Sequence, residues 1–252
     1  MNDRRITCHL LLSICHLPLP MPALDLIALL LVILWAVFLF GGWLWGKDAQ
    51  RYRRMPLWTR MASSAVLVLL AWYGFLLTPV TGPVAFTRLI AVGMTFGFVG
   101  DLFMAGLLPA PNRVLGGISA FGIGHIAYIS AIIGYRPVIW WVVVAGLVAA
   151  TGLYYRIFLR SKEPTPLIWA ALPYTLLLAS TALLGASLAL QLPLFALLAG
   201  GGLLFFVSDL ILGLELFNHT RFPWLGDWVW LTYGPGQALI VLSIWSALQT
   251  AV

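Results

Sequence analysis

Two aspartates inside long apolar stretches are the residues best suited to chemistry in this sequence. Asp101 and Asp209 lie in similar segments, Phe96–Leu102 and Phe205–Leu210. A charged side chain at the centre of a membrane helix costs at least about 2.5 to 3.5 kcal/mol, so such residues usually serve a function. Two neighbouring carboxyls in low-dielectric surroundings do not both ionise readily, so one stays protonated as an acid while the other activates water or stabilises a cation. The pair therefore predicts acid–base chemistry.

Each aspartate is followed, one apolar stretch later, by further polar groups. His125 and Tyr128 are three residues apart, and Tyr233 and Gln237 are four apart, so each pair shares one face of a helix. A lone histidine is more often structural than catalytic, but this neighbourhood makes His125 a candidate. We expect one polar chamber walled by the third, fourth, seventh and eighth apolar stretches. Glu215 and Asp227, nearer to stretch ends, are expected to be solvated.

The composition identifies the elements that must hold these residues. Of 252 residues, 62% are hydrophobic and 9% are charged, which excludes soluble, disordered and nucleic-acid-binding proteins. No stretch alternates with the period of a barrel strand, so the apolar runs are helices. The predicted fold is an all-α polytopic membrane bundle of eight transmembrane helices: Leu24–Trp45, Trp58–Leu77, Val84–Leu108, Leu115–Gly134, Val138–Leu159, Leu167–Leu190, Leu194–Phe217 and Trp228–Leu248.

The charges predict orientation and location. Most arginines and lysines follow the first, third, fifth and seventh helices, so by the positive-inside rule those loops are cytoplasmic and both termini are outside. We expect a multi-pass protein of the bacterial inner membrane. The third and seventh helices run in the same direction, and their similar segments suggest a four-plus-four parallel repeat.

The first twenty residues fit this scheme poorly. Residues 1–20 resemble a weak signal sequence followed by Met21, so we predict an N-terminal extension, with translation starting at Met21 and one eight-helix domain over 21–252. The repeated Cys-His pairs at 8–9 and 15–16 are too weak a pattern to predict a metal site.

The motifs together resemble those of the YhhN family. The resemblance extends from Met21 to near the end of the chain and depends on Gly100-Asp101, His125-x-x-Tyr128, Ser208-Asp209 and Tyr233-x-x-x-Gln237. Family members are eight-helix membrane proteins, and the characterised ones are lysoplasmalogenases. The resemblance thus implies hydrolysis of the vinyl ether bond of an alkenyl lysophospholipid to a fatty aldehyde and glycerophosphoethanolamine or glycerophosphocholine.

The chemistry of vinyl ethers suits the two carboxyls. Protonation of the alkenyl carbon gives an oxocarbenium ion that water captures, a division of labour also found in glycosidases. Asp101 and Asp209 would be acid and base in either order, and His125 would assist proton transfer. The expected substrate contacts are Tyr128, Tyr233, Gln237, Ser208 and Arg54.

The sequence departs from the family pattern at the expected phosphate contact. Many members carry Lys-Pro at the start of the second helix, where this chain has Met55-Pro56 preceded by Arg53 and Arg54. An arginine supplies the charge of the lysine with different geometry. We therefore expect the headgroup near Arg54 or Arg113.

No nucleotide, haem or flavin motif is visible, so we expect no cofactor, no bound metal and no nucleic acid, with lysophospholipid substrate and membrane lipid as the partners. Two other functions remain open. A zinc-dependent hydrolase of lipid amides or esters would need His125, Asp101 and Asp209 as ligands. A proton-coupled transporter would use the two carboxyls to carry protons.

Overall fold

The predicted membrane bundle is confirmed in the part of the chain that the structure, a computed structural model, describes. This part comprises residues 24–48, 51–160 and 165–250; the predicted extension, the Cys-His pairs and Met21 lie outside it. It contains no strand and eight helices long and apolar enough to cross a membrane, as expected of an integral multi-pass membrane protein. The helices are α1 Leu26–Trp45, α2 Leu57–Leu76, α3 Val84–Ala105, α4 Arg113–Ile133, α5 Trp140–Leu159, α6 Pro166–Gln191, α7 Pro193–Asn218 and α8 Leu225–Thr250.

Local backbone signals determine where the helices end. Helix α3 ends at Ala105, before the predicted Leu108, because Gly106 takes a left-handed conformation with φ of 73° and its N–H bonds back to the last turn, as is common for glycine after a helix. Asn112 starts α4 by accepting the N–H groups of Val114 and Leu115. Helix α8 begins three residues before the predicted Trp228.

The helices pack in the same pattern in both halves of the bundle. Helices α1 and α2 pack as α5 and α6 do, α2 and α3 as α6 and α7, and α3 and α4 as α7 and α8. The halves then join reciprocally, because α8 packs on α2 and α4 packs on α6. This correspondence is what the predicted four-plus-four parallel repeat requires.

Two pairs of glycines bring the helices of each half into backbone contact. A Cβ on Gly93 of α3 would lie 2.9 Å from the carbonyl oxygen of Gly124 on α4. In the second half, a Cβ on Gly201 of α7 would lie 2.6 Å from the carbonyl oxygen of Gly236 on α8. Each α3 or α7 glycine precedes an aspartate by eight residues (101 − 93 and 209 − 201), about 12 Å along the axis. The carboxyls therefore lie at equivalent heights relative to the closest helix contacts.

We predict that Gly201→Ala destabilises the protein, because the added methyl would overlap the backbone of α8. Overpacking of this kind costs typically about 1–3 kcal/mol, so the melting temperature of the detergent-solubilised protein should fall by at least about 2 °C.

Gly152→Ala in α5 is the matched control, because a Cβ there meets nothing within 4 Å. Alanine has the better helix propensity, so this variant should melt at or slightly above the wild-type temperature. Equal melting temperatures for the two variants would mean that the α7–α8 contact does not need glycine.

Candidate active site

Asp101 is held inside the bundle by donors from two other helices. Only 4% of its surface is exposed, and its Oδ2 accepts hydrogen bonds from the Ser64 hydroxyl of α2 and the Tyr233 hydroxyl of α8. Hydroxyl donors suit a carboxyl that lipid would otherwise leave without partners.

The Tyr233 bond is the last of a chain of three buried hydrogen bonds. The Tyr128 hydroxyl donates to Oε1 of Gln237 at 2.9 Å, the Gln237 Nε2 donates to the Tyr233 hydroxyl at 3.3 Å, and that hydroxyl donates to Asp101 at 3.0 Å. Gly97 leaves room for the chain, since a Cβ there would lie 2.7 Å from Nε2 of Gln237. The structure thus brings three of the predicted residues into one network that ends at Asp101.

Asp209 occupies the equivalent position in the second half but has different surroundings. It accepts a hydrogen bond from the Tyr174 hydroxyl of α6, the helix that corresponds to α2 in the repeat. Asp209 is only half-buried, and it lines two cavities.

The first of these, the polar cavity, is lined by both carboxyls. It has a volume of about 90 Å³, and its walls include Tyr233, Ser208, Arg53 and Arg60. A cavity of this size and polarity has room for water. Asp101 and Asp209 therefore share one chamber, as the sequence predicted for α3, α4, α7 and α8, with α2 as an unexpected fifth wall.

The second cavity, the apolar cleft, lies between α4, α5, α6 and α7. Its walls are mostly aliphatic and aromatic side chains, and they include Asp209 and its donor Tyr174. Met104, Phe121, Asp209 and Leu212 line both spaces, so the cleft and the polar cavity meet at Asp209. Within the described residues, α5 packs mainly against α6, which leaves the cleft bordered by a peripheral helix.

Phe121 joins the surroundings of the two carboxyls. Its ring centroid lies 6.4 Å from that of Tyr174 and 6.0 Å from that of Tyr233. It packs on Gly100, where a Cβ would come within 2.7 Å of the ring. The ring thus packs against both tyrosines that donate to the carboxyls.

His125 and Ser208, predicted as a proton-transfer residue and as a substrate contact, each have a hydrogen-bond partner within the bundle. His125 is buried, with its Nδ1 3.0 Å from the Thr181 hydroxyl and its ring 4.8 Å from that of Phe205; its Nε2 has no partner among the described residues. Its ring lies outside the two cavity walls described above. Ser208 lines the polar cavity, but its hydroxyl donates to the Val229 carbonyl at 3.1 Å. The described residues contain no group of three or more His, Cys, Asp or Glu positioned to hold a metal ion.

The arginines at the polar cavity are Arg53 and Arg60, whereas Arg54 turns away. The Arg54 guanidinium lies over the Trp224 ring, 4.9 Å from its centroid. Asp227 accounts for this arrangement because its carboxylate accepts the N–H groups of Arg54 and Met55 at 2.8 to 3.1 Å. The expectation that Asp227 is solvated was wrong, since 1% of it is exposed.

A tyrosine–glutamate pair borders the same loop. The Tyr52 hydroxyl donates to Oε1 of Glu215 at 2.6 Å, and Glu215 is half-buried rather than fully solvated. Burial raises the pKa of Tyr52 to about 12, and the hydrogen bond to Glu215 acts in the same direction. Tyr52 therefore remains a neutral donor at physiological pH.

Comparison with known proteins assigns the family. The profile of the YhhN family matches residues 55–244. The chain belongs to the YhhN family. The match covers every helix of the site, α2 to α8, up to residue 244 of α8. No curated protein and no solved structure matches the chain. YhhN family membership is associated with lysoplasmalogenase-like function and suggests a hydrolase.

We predict that Asp227→Ala releases the loop that positions Arg53. Without the carboxylate, the amides of Arg54 and Met55 lose their acceptor, so hydrogen–deuterium exchange in a peptide covering residues 51–56 should become about tenfold faster or more.

Asp25→Ala is the control, because Asp25 caps the start of α1 and makes no hydrogen bond to this loop. It should leave exchange over 51–56 unchanged. Unaltered exchange in Asp227→Ala would show that other contacts hold the loop.

Proposed function

We propose that this protein hydrolyses the vinyl ether bond of alkenyl lysophospholipids. The observation that carries the proposal is the meeting of an apolar cleft and a polar cavity at Asp209, with Asp101 in the wall of the same cavity. A single-tailed lipid has the matching division, with an alkyl chain on one side of the vinyl ether and a glycerophosphate group on the other. YhhN family membership supports the same activity.

The reaction needs one acid, one base and one water molecule. A carboxylic acid adds a proton to the alkenyl carbon next to the tail, which makes the carbon bonded to oxygen an oxocarbenium centre. Water attacks that centre and loses a proton to the second carboxyl group, giving a hemiacetal. The hemiacetal then breaks its bond to the glycerol oxygen, which takes the proton from the second carboxyl group, while the hemiacetal hydroxyl gives its proton to the first carboxylate. The products are the aldehyde and the free glycerophospho-alcohol, and the enzyme recovers both of its protonation states.

The surroundings of the carboxyls suggest which is the acid. Asp209 borders the apolar cleft, so a tail in the cleft brings the alkenyl carbon to it. Asp101 borders only the polar cavity of the two, where water would approach. Asp209 is thus the acid and Asp101 the base, with Tyr174, Ser64 and Tyr233 as positioning residues.

The charge distribution supports an orientation. The loop that carries Arg53 and Arg54 precedes α2, and the end of α5 carries Arg156 and Arg160. Positive loops favour the cytoplasmic side. The polar cavity would then open toward the cytoplasm of a bacterial inner membrane, with both termini outside.

We predict that Asp101→Asn and Asp209→Asn each reduce aldehyde release by at least about 100-fold, because general acid–base catalysis contributes about 10² to 10⁴ to a rate. The measurement is aldehyde formation from an alkenyl lysophospholipid by purified protein in detergent.

Asp25→Asn at the opposite end of the bundle is the matched control and should keep wild-type activity. Melting temperatures of all variants separate loss of chemistry from loss of folding. Full activity in either site variant would remove that carboxyl from the mechanism, and an inactive wild-type protein would contradict the proposed function.

We further predict that Ala150→Phe shifts substrate preference toward shorter tails. Ala150 of α5 lines the apolar cleft, and a phenyl ring there would fill part of the space for the alkyl chain. The ratio of kcat/KM for a short-chain to a long-chain alkenyl lysophospholipid should rise by about tenfold or more. A change of this size corresponds to the loss of burial of about one to two methylene groups of the long tail.

Ala149→Phe is the control, because the neighbouring Ala149 is exposed on the outer surface of α5. It should leave the ratio unchanged. The same ratio in Ala150→Phe and wild type would mean that the tail binds elsewhere.

A further inference from the structure

Two arginines in the wall of the polar cavity each have a buried donor that no described residue accepts. The Nε atoms of Arg53 and Arg60 are buried and have no hydrogen-bond partner among the described residues. The Arg53 guanidinium lies 5.0 Å from the Tyr52 ring centroid, and its Nη2 donates to the Tyr52 hydroxyl. The Arg60 guanidinium lies 5.4 Å from the Trp230 ring centroid. Guanidinium groups with unsatisfied donors beside a cavity are suited to an anion with several oxygens.

Contacts within the fold hold Arg53 at this position. The backbone of its loop is bound to the start of α8, where Gly226 donates its N–H to the Tyr52 carbonyl at 3.1 Å and the Asp227 carboxylate accepts the N–H groups of Arg54 and Met55. The Arg53 side chain crosses Gly226 so closely that a Cβ there would lie 2.5 Å from its Nε. Glycine at 226 therefore makes room for the guanidinium.

Arg60 is placed relative to the carboxyls by its helix. It precedes Ser64 by four residues, so both lie on one face of α2, about 6 Å apart along the axis. Because Ser64 bonds to Asp101, Arg60 lies one turn further toward the start of α2 and the loop that carries Arg53.

We propose that Arg53 and Arg60 form the binding site for the phosphate of the lysophospholipid substrate. This inference rests on the proposed function and adds the group that selects a phospholipid over a neutral ether lipid. A tail in the apolar cleft and a vinyl ether at Asp209 leave the glycerol backbone to run through the polar cavity toward the two guanidinium groups. Arg54, which the sequence favoured, stacks on Trp224 instead.

The test compares binding of two uncleavable lipids with the same saturated alkyl ether chain, an alkyl lysophospholipid and an alkylglycerol without phosphate. Binding is followed by the change in melting temperature and by tryptophan fluorescence of the purified full chain. We expect wild type to bind the phospholipid more tightly than the alkylglycerol, and Arg53→Gln and Arg60→Gln each to weaken phospholipid binding by about tenfold or more. Binding of the alkylglycerol should change by less than about twofold.

Three further variants sharpen the comparison. Arg51→Gln makes the same charge change at an exposed residue of the same loop and should have no effect. Gly226→Ala keeps every charge but displaces Arg53, so it should weaken phospholipid binding selectively. Arg54→Gln should bind both lipids as wild type does.

Each outcome decides the inference. Equal weakening of both lipids by the Arg53 and Arg60 variants, or no weakening, would overturn it, as would a selective loss in Arg54→Gln alone. The proposed function is judged separately by aldehyde release from the alkenyl lipid. Selective phospholipid binding without aldehyde release would refute the hydrolase and support the phosphate site. If instead the protein releases aldehyde, and the Arg53 and Arg60 variants lower that release equally for alkenyl lysophospholipid and alkenylglycerol, the hydrolase would stand and the phosphate site would be refuted.

Discussion

A carboxyl group in the interior of a lipid-embedded bundle must receive its hydrogen bonds from the protein itself. At Asp101 this requirement recruits α2 through Ser64 and α8 through Tyr233, and the chain continues through Gln237 to Tyr128 on α4. Four helices are thereby joined around one group. The glycine contacts of α3 with α4 and of α7 with α8 bring the backbones close together beside this network. The hydrogen-bonded carboxyl and the small residues around it therefore depend on each other.

The two halves of the bundle share one packing pattern but give their aspartates different surroundings. Equivalent helices supply a donor to each aspartate, Ser64 from α2 and Tyr174 from α6. Asp101 is enclosed, whereas Asp209 remains partly exposed where two cavities meet. A repeat thus provides two carboxyls at matching heights, and the difference in their surroundings allows them to take different roles.

Much of this arrangement can be predicted from the sequence, because a lipid environment restricts the length, hydropathy and charge of the segments that cross it. Length and hydropathy give eight helices whose ends differ from the structure by at most three residues, and the scarcity of buried ionisable residues directs attention to Asp101 and Asp209. Helical spacing also places Tyr233 and Gln237 on one face of α8. Ser64 and Tyr174 carry no such signal, because a serine or tyrosine in an apolar helix is common. Their importance comes only from the helix they face.

The arginine loop marks the limit of sequence reasoning. Whether Arg53 or Arg54 faces the cavity depends on Asp227, more than 170 residues away, binding the backbone of the loop. Residues that are adjacent in a loop point in directions that tertiary contacts decide, and no helical period constrains them. Asp227 was misjudged for the same reason, since its partners are backbone groups that the sequence does not reveal.

In the hydrolysis that we propose, the junction at Asp209 also bears on the release of the products. Hydrolysis of the lysolipid gives an apolar aldehyde and a water-soluble glycerophospho-alcohol. In this bundle the aldehyde would already lie in the apolar cleft and the glycerophospho-alcohol in the polar cavity. The aldehyde could diffuse sideways past α5 into the bilayer while the glycerol fragment leaves past the arginine loop. With separate routes, neither product would have to wait for the other to leave through a shared opening. The reactive aldehyde would also stay out of the aqueous phase.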